Sequence, residues 1–300
     1  MKKILLATTM LAGTAGFAAA EVTLSGYAEM GIVGGYNWGG GTTQFYQDID
    51  VTFSMSGETD GGLTFGTSID LDEAGNSFGD NDGGTSVYIS GAFGKLTLGD
   101  TDGGFDWALS ETGMGTAITD ENTMHTGYSG NGGLDGWYDG QILRYEYSAG
   151  DFAAAASVEM DDFNAGGIDD PVIGLGMKYT MSGVTLGVGY QSNDDANEEI
   201  IGASVSGETG GIKYVVNYSD RSGSAPWDNR SHMGLGLGYT SGALMVSANY
   251  GVFDYDGGGQ WDGYGLVANY DLGGGAVVMA GYASDVGIDD QWSLGLGMSF

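Results

Sequence analysis

The chain has 300 residues, including 60 glycines, two prolines and no cysteine, and its 8 basic against 40 acidic residues give a formal charge of −32. This balance excludes nucleic acid as a natural partner, because phosphate binding needs basic patches. The 12% aromatic content excludes a disordered acidic tail, and the lack of cysteine excludes disulfide frameworks and thiolate metal sites.

The first 20 residues predict export. Lys2 and Lys3 precede an apolar run that begins at Ile4, and the segment ends in three alanines at 18–20. A basic start, a short apolar run and a small-residue cleavage site are typical of a secretory signal peptide. We therefore expect residues 1–20 to be a signal peptide and the mature chain to be 21–300. No later run approaches the roughly 18 apolar residues of a spanning helix.

The segment DIDVTFSMSG at residues 48–57 alternates between two kinds of side chain. Its even positions, which begin with Asp48 and Asp50, are polar, whereas its odd positions up to Met55 are apolar. Strict alternation places the two sets on opposite faces of a β-strand. Fifteen other segments alternate in the same way, so sixteen strands are predicted. They are 22–32, 48–57, 62–72, 85–93, 95–100, 142–148, 151–160, 172–181, 184–192, 199–209, 212–220, 233–240, 244–252, 264–271, 277–284 and 292–300.

Short and long connections alternate between these segments. Tight glycine-containing turns such as 58–62 are followed by long acidic connections such as 72–84, and the longest connection runs over 101–140. This arrangement is typical of an up-and-down antiparallel barrel in an outer membrane. A barrel of about sixteen strands is too wide for side chains to fill. We therefore predict an all-β, 16-stranded antiparallel transmembrane β-barrel, with apolar faces toward lipid and with Asp48 and Asp50 toward a water-filled interior.

Several motifs together resemble the general diffusion porins of alphaproteobacteria, the Rhodobacter-type family. They are EVTLSGYAEMGI, VYISGAFGKLTLGD, RYEYSAGDFAAAAS and YDLGGGAVVMAGYASD, and the likeness covers essentially all of 21–300. Phe300, a terminal aromatic residue that closes an alternating strand, looks like the outer-membrane assembly signal of such proteins. The resemblance implies a homotrimer among outer-membrane lipid and lipopolysaccharide. Each barrel would have its third loop folded inward and would form a passive channel for small hydrophilic solutes and ions.

Residues 101–140 match the position of that inward third loop, so we expect them to constrict the channel. An external loop with solvated carboxylates is the alternative. The loop has no lysine or arginine and seven carboxylates: Asp102, Asp106, Glu111, Asp120, Glu121, Asp135 and Asp139.

The predicted channel wall combines basic and acidic residues. The basic ones alternate with apolar neighbours, and a lysine or arginine facing lipid would cost about 2–4 kcal/mol near the bilayer midplane, so we expect them to face inward. Related porins set an arginine cluster across from the loop, but here the corresponding positions are acidic. A cation-preferring pore is the expected result. The wall residues are Glu29, Asp48, Asp50, Lys95, Arg144 and Lys178.

No cofactor is required for this function, although the acidic loops offer hard oxygen ligands of the kind that Ca²⁺ binds. They have neither EF-hand spacing nor the repeated glycine-aspartate nonapeptide of secreted calcium proteins, so no particular metal site is predicted. The two histidines, His125 and His232, lie in no nucleophile motif, and we expect no enzyme. A structural or adhesive outer-membrane barrel with a closed lumen is the alternative function.

Overall fold

The computed structural model describes most of the predicted barrel and part of the long loop. The described residues are 21–35, 41–72, 84–118, 133–134, 142–160, 171–194, 196–224, 229–285 and 290–300. The predicted signal peptide and four of the loop carboxylates, Asp120, Glu121, Asp135 and Asp139, lie outside them.

Each of the sixteen predicted segments corresponds to one strand, and a single short helix lies in the described part of the long loop. The elements are β1 (Glu21–Gly35), β2 (Gly41–Glu58), β3 (Thr64–Asp72), β4 (Thr85–Gly91), β5 (Gly94–Gly99), α1 (Gly104–Ala108), β6 (Ile142–Ala149), β7 (Phe152–Glu159), β8 (Val172–Met181), β9 (Val184–Asn193), β10 (Glu198–Thr209), β11 (Ile212–Ser222), β12 (Arg230–Ser241), β13 (Leu244–Tyr255), β14 (Gln260–Gly273), β15 (Ala276–Asp285) and β16 (Gln291–Ser299).

The sheet closes on itself. Every strand pairs antiparallel with its neighbours in sequence, and β1 pairs with β16 from Tyr27 opposite Ser299 to Gly34 opposite Trp292. Closure removes the unpaired edges that an open sheet would expose, so all strand backbone groups can bond within the wall. The predicted 16-stranded antiparallel barrel is confirmed.

The strands present apolar side chains on the outside and polar or small ones on the inside. In β2, Ile49 is 48% exposed and Phe53 is 37% exposed, whereas Asp48, which directly precedes Ile49, is only 6% exposed. Such an inside-out distribution is typical of a barrel surrounded by lipid. The described residues include no helix that is long and apolar enough to cross a membrane.

The tight turns use glycine where the backbone requires a left-handed conformation. Between β10 and β11, Gly210 and Gly211 have φ angles of +59° and +79°, and they connect the facing pair Thr209 and Ile212. A two-residue hairpin turn with two positive φ angles matches the right-handed twist of its strands. Glycine adopts this conformation without the steric penalty of a side chain.

The barrel wall differs in height around its circumference. Strands β4 and β5 have 7 and 6 residues, whereas β12 and β14 have 12 and 14 residues. The lowest part of the wall therefore lies directly before the long loop, at β4 and β5.

Candidate channel constriction

The chain turns into the barrel after β5. Helix α1 lies inside the wall and contacts β7, β8 and β9. Phe105 and Ala108 of this helix are fully buried, and they pack with Leu109 and with the wall residues Val172 and Ile200. An apolar cluster therefore fixes the first part of the loop against the inner wall. The structure confirms that the described part of the third loop is folded inward.

Hydrogen bonds from polar wall residues hold the loop backbone along its path. Because the lumen side of the wall supplies both donors and acceptors, the loop backbone needs no regular secondary structure to satisfy its polar groups. The bonds are Gly104 N to Ser157 Oγ (2.7 Å), Ser110 N to Ser204 Oγ (2.9 Å), Asn217 Nδ2 to the Ser110 carbonyl (3.1 Å) and Asn269 Nδ2 to the Thr116 carbonyl (2.7 Å).

Glycines of the inner wall allow the loop to lie directly on the sheet. A β-carbon built on each of three of them would overlap a loop carbonyl oxygen, so no side chain separates loop from wall at these points. The distances from that β-carbon are 2.0 Å at Gly176 to the oxygen of Gly104, 2.0 Å at Gly187 to that of Ala108 and 2.2 Å at Gly236 to that of Thr112.

A second apolar cluster fixes the described end of the loop. Ile118 is fully buried, and it packs with Val33 of β1 and Met279 of β15. A β-carbon on Gly31 or Gly295 would lie within 3.0 Å of the Ile118 side chain. Residues 104–118 therefore follow the inner wall from β7 round to β1, and they are anchored by apolar packing at both ends.

The three described loop carboxylates differ in their surroundings. The Asp102 side chain is 68% exposed, whereas Asp106 accepts a hydrogen bond from the backbone N–H of Gly133 at 3.2 Å. Glu111 is exposed to the lumen, although protein surrounds part of its side chain. Partial desolvation, and secondly the negative charge of Asp102, raise the pKa of Glu111 above its ordinary value.

The three basic wall residues lie on the inner face, but they are engaged beside the start of the loop. Arg144 is only 8% exposed, and its guanidinium donates to the backbone carbonyl of Asp102 at 2.5 Å and to Glu146 Oε1 at 3.0 Å. Lys178 Nζ lies 4.4 Å from the centre of the Trp107 ring. Arg144 and Lys178 therefore contact the loop itself and do not form a free cationic wall across from it.

Lys95 of β5, the third basic residue, is engaged by the neighbouring wall strands and not by the loop. Its Nζ lies 4.9 Å from the centre of the Tyr88 ring of β4, and its cross-strand neighbour on β6 is Glu146. Glu146 also accepts the Trp107 indole hydrogen bond at 3.1 Å and pairs with Arg144. One carboxylate thus balances part of the positive charge beside the start of the loop.

The three acidic wall residues lie together on the inner face of β1 and β2. Glu29 and Asp48 face each other across the two strands and are only 3% and 6% exposed. The Tyr27 hydroxyl donates to Glu29 Oε1 at 2.7 Å, and Asp50 is the cross-strand neighbour of Tyr27. These carboxyl groups are on the lumen side, as alternation predicts, but Glu29 and Asp48 are largely covered by protein and do not stand free in water.

The sequence interpretation did not identify the residues that hold the loop. Ser157, Ser204, Asn217 and Asn269 have ordinary polar side chains whose role depends on what lies opposite them. The glycines of the inner wall, in contrast, could have indicated from the sequence where the loop lies. Two or three glycines at alternate inward positions, as at 174–176, 187–189 and 234–238, indicate that another backbone approaches that face closely.

The acidic candidate metal ligands lie partly within the described residues. Within the described ranges, no group of three or more histidine, aspartate or glutamate side chains is arranged to hold a metal ion. The acidic stretches 73–83 and 161–170 lie entirely outside these ranges.

Comparison with known proteins gives one consistent result. A family model described as Gram-negative porin matches residues 7–287. A porin of Rhodobacter capsulatus is 31% identical over 314 residues, which span 93% of this chain and 99% of that protein. A porin structure refined at 1.8 Å resolution is 29% identical, with a TM-score of 0.77 over 93% of this chain and 100% of that chain. A triple mutant of Rhodopseudomonas blastica porin, 18% identical with a TM-score of 0.71 over 93% of this chain and 100% of that one, shares the fold.

Proposed function

The chain belongs to the Gram-negative porin family and forms a passive diffusion channel across the outer membrane, and from this premise we propose that residues 101–140 constrict the channel and that it prefers cations. The observation that carries the proposal is the path of the loop along the inner wall. Asp102 and Glu111 both reach the lumen on this path. The channel therefore has exposed negative charge at the place where its cross-section is reduced.

The basic residues support cation preference because of how they are engaged. Arg144 is buried and contacts the Asp102 carbonyl and Glu146, and Lys178 stacks on Trp107. Charges that are already paired contribute less to the field that a passing ion meets. Asp102 Oδ2 lies 4.0 Å from Arg144 Nη1, at the outer limit of an ion pair, and its side chain is 68% exposed, so most of its charge still faces water. A negative field at a narrow point concentrates cations and repels anions.

A reversal potential across a planar bilayer with a KCl gradient tests the proposal. We expect the reversal potential to have the sign of a cation-preferring pore. Its magnitude should be smaller at 1 M salt, because the Debye length there is only about 3 Å and salt screens the fixed charges. Replacing Asp102 with Asn and Glu111 with Gln should reduce the preference. Asp60→Asn, which removes one charge from an exposed turn outside the lumen, is the matched control. Anion preference in the unmodified protein would refute the proposal.

Asp48 and Asp50 on the inner face of β2 give this experiment a second arm. If these carboxyl groups add to the field, Asp48→Asn together with Asp50→Asn should weaken cation preference further. If protein covers them from the ion path, only the loop variants will have an effect. The comparison separates the charge of the loop from the charge of the β1–β2 wall.

We also propose a trimer, as well as a channel that needs no cofactor and has no catalytic role. His232 is 2% exposed and packs against Phe253 at a ring distance of 4.6 Å, which is an unfavourable position for a catalytic base. The outward apolar residues would contact outer-membrane lipid and lipopolysaccharide. Ca²⁺ bound by the acidic loops is the alternative to simple solvation. If Ca²⁺ is bound, a chelator will lower the melting temperature of the protein, while conductance continues without the metal.

A further inference from the structure

The loop meets the wall with a regular spacing. The carbonyl oxygens of Gly104, Ala108 and Thr112, each four residues from the next, overlap the β-carbon positions of wall glycines on β8, β9 and β12. Between these points the aromatic ring of Phe105 and the side chain of Leu109 lie within 3.0 Å of the β-carbon positions of two further glycines. The five wall positions, which we name the glycine seat, are Gly176, Gly187, Gly189, Gly202 and Gly236.

Three positions of the glycine seat are contiguous across strands, whereas Gly236 lies apart on β12, opposite Val215 of β11. Gly176, Gly189 and Gly202 are direct cross-strand neighbours on β8, β9 and β10. Gln191 occupies the inward position after Gly189 on β9, and His232 lies two inward positions before Gly236 on β12; they are 0% and 2% exposed. At the seat positions the loop therefore lies directly on wall backbone, and larger side chains such as Gln191 lie beside it toward the long loops.

We propose that the glycine seat sets the depth at which the loop lies and so determines the open cross-section of the channel. The proposal rests on the proposed constriction by the loop. A β-carbon at 2.2 Å from an oxygen is far inside a normal contact distance, so one added methyl group at Gly236 requires a displacement of roughly 1 Å or more.

The loop, and not the wall, is the part that moves. Gly236 lies in the middle of β12, where hydrogen-bonded ladders to β11 and β13 hold the backbone on both sides. The neighbouring loop segment 111–116 has no sheet partner and is held mainly by single side-chain bonds such as Asn269 to Thr116. A methyl group on the wall therefore displaces the loop toward the channel axis and narrows the opening.

The test is single-channel conductance of Gly236→Ala and Gly187→Ala in a planar bilayer. We expect both variants to conduct less than the unmodified protein and to exclude large solutes that it admits. Gly26→Ala controls for a methyl group added to a strand away from the loop, because this glycine of β1 pairs with the outward Val51 and its β-carbon would lie no closer than 3.6 Å to any atom beyond its chain neighbours. Its conductance should not change.

A second background separates the seat from a direct effect on the wall. In a variant that lacks residues 105–135, Gly236→Ala should leave conductance at the value of the deletion alone, because the clashing oxygen is gone. If Gly236→Ala does not assemble in the full chain, the same substitution must assemble in the deletion variant.

Two results would overturn the glycine seat. One is unchanged or raised conductance in a folded Gly236→Ala protein, and the other is an equal loss of conductance with and without the loop. A deletion of the loop that leaves conductance unchanged would instead refute the constriction itself, so the two failures are distinguishable.

Discussion

At the scale of single residues, position in the alternation predicted the face of a side chain but not its surroundings. Asp48 and Glu29 lie on the inner face as predicted, yet both are nearly inaccessible. The reason is that period-2 alternation reports which side of the sheet a residue occupies, whereas burial depends on what lies opposite. For example, the Tyr27 hydroxyl that donates to Glu29 also contacts the sulfur of Met279 on β15, which lies 250 positions from Glu29 in the sequence.

Arg144 illustrates the same limit from the basic side. The cost of placing a cation in lipid was enough to predict that it faces inward. Nothing in its local sequence indicated that its guanidinium would bind a backbone carbonyl of the loop, because Asp102 belongs to another segment of the chain. Its contribution to selectivity depends on that contact.

The carboxyl group of Glu111 gives a prediction about pH. Partial desolvation and the nearby Asp102 raise the pKa of this carboxyl group, so Glu111 takes up its proton at a higher pH than an ordinary glutamate, for which the pKa is about 4.3. Protonation removes one negative charge from the constriction. We therefore expect cation preference to decrease on acidification before ordinary carboxylates titrate.

Reversal potentials recorded as the pH is lowered from neutrality will check this expectation. In Glu111→Gln the first decrease should be absent, and the preference should stay at its already reduced level until the remaining carboxylates are protonated. The same pH profile in the Glu111→Gln protein and in the unmodified one would contradict the assignment.

At the scale of elements, all sixteen strands were predictable because alternation is a local property that lipid on one side and polar groups on the other impose on every strand. The position of the inward loop was predictable from its length and from the family resemblance, which the comparisons confirm. Its path was not predictable. The Asn217 side chain bonds the Ser110 carbonyl across 107 positions, and no short-range pattern records such a contact.

Removal of the loop is the prediction that belongs to this scale. Because the strand ladders pair with one another all the way round, a variant without residues 105–135 should still form the barrel. Loss of the loop opens the lumen, so single-channel conductance should rise and cation preference should fall. A folded deletion variant with unchanged conductance would show that the loop does not limit flow.

At the scale of the whole molecule, the uneven height of the wall indicates how copies of the barrel would meet. Strands β4 and β5 are the shortest in the barrel, and their neighbourhood is strongly apolar on the outside. Phe53 and Ile89 are each 37% exposed there, and Phe65 and Phe93 are each 44% exposed. A short strand covers little of the bilayer's hydrocarbon thickness, which a neighbouring barrel can cover by packing against the same apolar surface.

The predicted trimer can be tested with one pair of substitutions on the outer surface. Ile89 lies on the low side of the wall, and Leu235 of β12 lies on the high side at a similar exposure of 44%. Changing either residue to Gln places the same amide on the outer surface, so both variants have the same free-energy cost of an unpaired polar group in hydrocarbon. If the low side is the contact between copies, Ile89→Gln should lower the temperature at which the trimer dissociates by more than Leu235→Gln does. Dissociation is followed by the size of the protein in detergent and by the loss of conductance steps in threes. Equal shifts for the two variants, or a protein that is monomeric before heating, would rule out this surface as the place where three channels assemble.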